Sequence, residues 1–128
     1  MNVKSCLEFT KALARDAGSF LNTRLGKVGS ISYKGRVNPV TDVDKRCERL
    51  ILNKIRKKYP SHAICSEEAG FVGPADSEFS WFIDPLDGTT NYTHSFPFFS
   101  VFIALYMNGI PFVWVVYDPI RKIGRAHV

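Results

Sequence analysis

A change of hydrophobic period near residue 60 constrains this chain more than any other feature: apolar residues recur at helical steps before it and in short extended runs after it. Cys6, Phe9, Leu13, Ala17 and Phe20 recur at steps of three and four with charged residues between them, which predicts an amphipathic helix over residues 3–25, ended by Gly26 and Gly29. Residues 31–37 read as a short extended stretch. Asn38-Pro39 reads as a turn, because a proline ring drives the residue before it out of helical geometry. Thr41 is a candidate N-cap, with Asp42 and Asp44 in a first turn where the helix dipole favours negative charge. Val43, Cys47, Leu50, Ile51, Ile55 and Tyr59 then form the buried stripe of a second helix, which Pro60 stops.

Beyond this point residues 63–66 and 81–83 read as strands flanking a loop of Gly, Pro, Asp and Ser, and residues 99–106 and 111–117 as two further strands. Asn108-Gly109 between the last two is a hairpin signal, since both central positions of a type I′ turn require positive φ. Helices first and antiparallel strands afterwards predict an α+β fold, with two N-terminal helices packed on a mainly antiparallel sheet. No internal repeat or low-complexity linker divides it.

Charge is partitioned as sharply as period. Residues 1–60 hold 14 Lys and Arg against 5 Asp and Glu, whereas residues 61–120 hold 7 acids and no Lys or Arg. The acidic stretch cannot neutralise itself locally and needs cations from elsewhere. Asp76 and Glu78, in the Gly/Pro/Ser loop, are expected to be solvated, and the basic first half to form solvated helix faces. Three widely spaced cysteines, Cys6, Cys47 and Cys65, exclude a disulfide framework and a Cys-x-x-Cys metal site, and read as small apolar residues of a reducing compartment. No apolar run approaches the ~18 residues of a membrane span. Charged residues from Lys4 to Arg15 interrupt any secretory core, so a cytoplasmic location is expected.

The chemistry is concentrated in residues 81–92, where a hydrophobic strand runs into Asp84 and Asp87. Asp84 is expected to end the strand, Pro85 to fix the turn, and Gly88 to allow a close backbone approach. Thr89, Thr90 and Asn91 look like the opening of a helical turn, where free N–H groups suit a phosphate. Hard oxygen ligands beside such a cradle are what Mg²⁺ asks of a phosphoryl-transfer site. Asp-x-x-Asp alone is more often an ordinary turn with capping aspartates. Ser66-Glu67-Glu68 at a strand end and Thr41-Asp42-Val43-Asp44 at a helix start supply further acids, although a solvated pair and a dipole-stabilised first turn would also explain them, and helix capping accounts for Asp42. His62 and His94 have no second His or Cys at metal-binding spacing and read as surface or packing residues. Trp81 and the Phe96, Phe98, Phe99 cluster read as core.

Taken together, Asn38 to Asp44, Tyr59-Pro60-Ser61-His62, Ser66-Glu67-Glu68, Asp84 to Asn91 and Val116-Tyr117-Asp118-Pro119 resemble, in order and spacing, the N-terminal half of the inositol monophosphatase family. These are Mg²⁺-dependent, lithium-sensitive phosphatases with a layered sugar-phosphatase fold. The resemblance implies hydrolysis of inositol or sugar phosphates by metal-activated water. It implies that Glu67, Asp84, Asp87 and the main-chain carbonyl of Leu86 hold Mg²⁺. Gly88 and Thr89 would offer N–H groups to the phosphate, and Glu67, Leu86 and Asp87 would adjoin the substrate. Asp44 would accept from the Thr89 hydroxyl, which orients the attacking water. The implied partner is a small phosphorylated polyol or sugar, with a homodimer for the full-length protein; neither a membrane nor nucleic acid is expected.

The resemblance stops at about Arg121, whereas the family is about twice as long. The missing half would supply another metal carboxylate and the ring contacts. Residues 1–122 are therefore expected to be a truncated phosphatase with weak or no activity. Residues 123–128, Ile-Gly-Arg-Ala-His-Val, match one reading frame of a common sequencing adapter and are expected to be a non-native tail. On that expectation the strand over 111–117 would lack sheet neighbours and expose apolar surface. The competing readings are a non-catalytic metal-binding scaffold and a basic module that binds nucleic acid or an acidic protein.

Overall fold

The computed structural model describes residues 2–26, 31–33 and 39–128, and of 31–33 and 39–41 the backbone. Gly29, residues 34–37 of the expected extended stretch, the Asn38 turn and the capping side chain of Thr41 lie outside it.

Helix α1 (Val3–Arg24) begins where the Asn2 side chain accepts the Ser5 N–H at 3.0 Å and gives way after Leu25 to Gly26 at φ +81. It buries Cys6, Thr10, Leu13, Ala14, Ala17, Gly18 and Leu21. Phe9 and Phe20, expected in the stripe, are only half-buried at its margins. Small residues set the helix close to the sheet: a Cβ on Gly18 would lie 2.8 Å from both Pro119 Cβ and Tyr117 Cε2. The short antiparallel pair β1 (Ile31–Tyr33) and β2 (Pro39–Thr41) leads into α2 (Asp42–Lys58).

The remaining elements are β3 (Ala63–Ser66), β4 (Gly70–Val72), β5 (Phe79–Asp87), α3 (Thr89–Thr93), β6 (Ser100–Met107), β7 (Ile110–Asp118) and β8 (Ile123–His127). Strands β3 to β8 form one six-stranded sheet, in the order β4-β3-β5-β6-β7-β8. Only β3 and β5 are parallel, and the other four pairs are antiparallel. The α+β arrangement is as expected: α1 packs on β6 and β7, and α2 on β5. The inward residues of alternating strands, Trp81, Ile83, Val101, Ile103, Leu105, Val113 and Val115, are buried beneath the helices. The expected hairpin is present, with Asn108 at φ 50 and Gly109 at φ 79. Among the described residues no helix is long and apolar enough to cross a membrane.

Further expectations differ from the structure. Strand β4 forms within the expected Gly-rich loop, because three residues suffice to pair with β3 after the turn at 67–69. Strand β5 does not end at Asp84 but runs to Asp87. Phe96 and Phe98 are 52% and 49% exposed rather than core; they pack on each other, with the Arg121 guanidinium 4.0 Å above the Phe98 ring, and only Phe99 is buried. Strand β7 is not left as an edge, because residues 123–127 turn back and pair with it from Trp114↔His127 to Asp118↔Ile123. All five residues of β8 are exposed, so backbone hydrogen bonding rather than side-chain burial recruits them. Asp118 shapes the connecting turn by accepting the N–H groups of Ile120 and Arg121 at 3.0 and 3.1 Å.

Candidate active site

The C-terminal end of β5 carries the acids, and a bulge aims them. In a regular strand Asp84 and Asp87, three apart, would face opposite sides of the sheet. Here Asp84 pairs with Phe102 and Asp87 with Ser100, so three steps along β5 match two along β6. The extra residue returns both carboxylates to one side. Pro85 within the bulge has no N–H to contribute to the ladder, which suits the interruption. The expected turn at Pro85 is thus a strand bulge, and the chain breaks direction only at Gly88.

Gly88 has φ 93, and a Cβ there would lie 2.9 Å from Phe98 O and 3.3 Å from Phe99 Cα. The close approach it permits in the structure is to the chain leading into β6. Helix α3 starts beside it as expected, and Tyr92 anchors it by donating its hydroxyl to Leu21 O of α1 at 2.7 Å.

Two other segments complete the cleft. Asp44, 5% exposed on α2, accepts the Thr89 hydroxyl at 3.1 Å across 45 residues of sequence. The same hydroxyl lies 3.1 Å from Leu86 O, and Leu86 N–H donates to Asp84 Oδ1 at 3.3 Å. The turn after β3 brings Glu67 and Glu68 into the same cleft. The resulting cleft, about 350 Å³, is lined by Asp44, Glu67, Glu68, Asp84, Leu86, Asp87, Gly88, Thr89, Thr90 and Asn91. Every residue singled out from the sequence as catalytic, metal-binding or substrate-binding is among them. His62 and His94 are not: His62 is buried between Tyr59 and Phe79 and accepts the Trp81 indole N–H at 2.9 Å, while His94 is exposed.

Electrostatics follow from this crowding. Burial, with the charges of Glu67 and Asp87 and then Asp44, raises the Asp84 carboxyl to about 6. Burial and the neighbouring Asp44 and Glu48 push the Cys47 thiol up to about 12, which leaves it an inert packing residue. A hard divalent cation among carboxylate and carbonyl oxygens would reverse the cost at Asp84, so the donor set fits Mg²⁺. Among the described residues the acids share one cleft without closing into a cluster of three ligand groups. Mg²⁺ needs few protein carboxylates and completes its sphere with water and substrate.

Sequence reasoning missed Glu48. It is 5% exposed, burial raises its carboxyl, and it accepts the Glu68 N–H at 3.2 Å. Its spacing was the available signal, since it stands four residues after Asp44 on a face otherwise occupied by Val43, Cys47, Ile51 and Ile55.

The chain belongs to the inositol monophosphatase family, whose sequence pattern matches residues 2–125. It is 43% identical over 122 residues to the inositol-1-monophosphatase of Synechocystis sp. (strain ATCC 27184 / PCC 6803 / Kazusa), covering 94% of this chain and 42% of that protein. It is 44% identical over 111 residues to the Nus factor SuhB of Escherichia coli (strain K12), covering 85% and 42%. The crystal structure of the extragenic suppressor protein suhB from Bartonella henselae superposes with a TM-score of 0.91 at 33% identity, covering 96% and 48%. The chain therefore spans less than half the length of these relatives. These relatives do not bear out the expectation that nucleic acid is not a partner.

Proposed function

We propose that the cleft hydrolyses phosphate monoesters of small polyols or sugars, inositol phosphate among them, with Mg²⁺ as cofactor. The observation that carries this reading is the meeting of Asp44, Glu67, Asp84, Asp87 and Thr89, from three distant segments, around one cavity. Glu67, Asp84, Asp87 and the Leu86 carbonyl would hold the metal. A carbonyl oxygen has two lone pairs, so its contact with Thr89 does not prevent this. When bound, Mg²⁺ supplies the charge that makes water nucleophilic near neutral pH and offsets charge on the phosphoryl and leaving oxygens.

The chain's own groups orient and move the proton. The Thr89 hydroxyl has one hydrogen and two acceptors at 3.1 Å, and the Asp44 carboxylate is the stronger of them. Donation to Asp44 leaves the lone pairs of Thr89 Oγ1 to accept from the attacking water. As the new P–O bond forms and the ester P–O bond breaks, the water proton passes to Thr89 Oγ1 and the Thr89 proton to Asp44, while the leaving alkoxide takes a proton from solvent. At the start of α3, where N–H groups lack partners within the helix, Gly88 and Thr89 would receive phosphate oxygens.

The test is phosphate release from inositol monophosphate with Mg²⁺ by the full-length protein containing this chain. Asp84→Asn and Thr89→Ala should each lower kcat by about a hundredfold or more. No release by the wild type, or equal release by Asp84→Asn, overturns the reading. The same reading includes inhibition by lithium, a cytoplasmic location, a homodimer at full length, and weak or no turnover by the 128 residues alone. A second reading, a binding role without turnover, is favoured by the Nus factor name of relatives at 44% identity. The wild-type assay separates the two.

A further inference from the structure

We propose that Glu48 is a positioning residue for the metal site: it clamps the turn carrying Glu67 to α2 and so sets where Glu67 stands relative to Asp84 and Asp87. This rests on the metal reading above. Glu48 Oε2 accepts the Glu68 N–H at 3.2 Å, one residue beyond Glu67. Ser66 Oγ in turn accepts the Ala69 N–H at 3.3 Å, closing the turn on itself. These contacts lie on both sides of Glu67 in the chain, while Glu67 itself lines the cleft.

Asp44, one helical turn earlier on the same face, holds the start of α3 through Thr89. Residues four apart on a helix keep a fixed separation, on the order of 6 Å, so α2 acts as a ruler between the two acid-bearing segments. A carboxylate on the buried face of α2, which also carries Cys47, Ile51 and Ile55, is a costly way to fill space. Its hydrogen bond to the Glu68 N–H instead suits it to fixing the backbone of the turn that carries Glu67.

The experiment is a calorimetric Mg²⁺ titration of the chain, comparing wild type, Glu48→Ala, Glu48→Gln, Glu48→Asp and Glu67→Gln, with the metal-free melting temperature of each recorded. Glu48→Ala should weaken Mg²⁺ binding about tenfold or more, the range seen when partners behind a metal ligand are removed. Glu48→Gln keeps an oxygen acceptor in place and should recover most of that loss. Glu48→Asp keeps the charge but falls one methylene short, so it should bind Mg²⁺ more weakly than Glu48→Gln. A purely structural role would lower the melting temperature and leave the Mg²⁺ affinity of the folded chain unchanged. Wild-type affinity in Glu48→Ala overturns the proposal and leaves the metal reading standing, provided Glu67→Gln loses affinity. Absence of Mg²⁺ binding by the wild type overturns both. If Glu48→Ala does not fold, the order of Glu48→Gln and Glu48→Asp decides, and Asp binding as tightly as Gln overturns the proposal.

Discussion

Strand β5 passes through two environments that obey opposite rules. Its middle, at Trp81 and Ile83, is apolar, buried and packed beneath α1 and α2. Its end, at Asp84 and Asp87, is a crowd of carboxylates in which burial and then the neighbouring like charges raise the Asp84 carboxyl. The core is stabilised by what its residues remove from water, whereas the cleft stores repulsion that a ligand can relieve. Substitutions should therefore have opposite signs at the two ends of one strand.

The largest effect is expected in the core. Trp81→Ala should lower unfolding free energy by about 3–5 kcal/mol in denaturant titration, because it opens a cavity and leaves the His62 acceptor without its indole donor. A loss below about 1 kcal/mol would place Trp81 outside the core.

Gly88→Ala sharpens the contrast, because here the cleft behaves like the core. A side chain at φ 93, with its Cβ 2.9 Å from Phe98 O, should cost about 1–3 kcal/mol by the same measurement. Wild-type stability in that variant would mean that the wall of the cleft is not set by backbone packing.

A smaller effect should appear in pH dependence. The native state holds the Asp84 proton to about 6 while the unfolded chain releases it near 3.8. Between those values the native state binds more protons, so the stability of the metal-free protein should fall as pH rises through that window. Asp84→Asn should flatten this slope, and an unchanged slope would assign it to other groups.

The least effect is expected from Lys54→Ala. The ion pair of Lys54 with Asp16 joins α2 to α1 at 2.6 Å, but both side chains are about half exposed, so the change should be within about 1 kcal/mol.

The two environments also differ in how far they could be read from sequence. Helical spacing located α1 and α2, and Asn108-Gly109 located the β6–β7 hairpin, because period and turn chemistry are local properties. The acids Asp44, Glu67, Asp84 and Asp87 could be named for the same reason, since each stands in a distinctive short segment. What joins them was not local. The bulge that turns Asp84 and Asp87 to one side exists only in the register between β5 and β6. Glu48 looks like one more surface acid of a charged helix until the turn after β3 is laid against it. Phe96 and Phe98 are exposed although aromatic, because aromatic character reports a preference for burial and not the presence of a cover. Strand β8 has no signature in the sequence because its pairing uses backbone groups that every residue possesses.

The central claim is that the acid cleft is a divalent-metal site under electrostatic tension, and thermal unfolding of wild type and Asp84→Asn at pH 7, each with and without Mg²⁺, tests it most directly. With such tension present, Asp84→Asn should melt higher than wild type without metal and lose the Mg²⁺-dependent rise that wild type shows. A variant that melts lower without metal, or that keeps the full Mg²⁺-dependent rise, would contradict it.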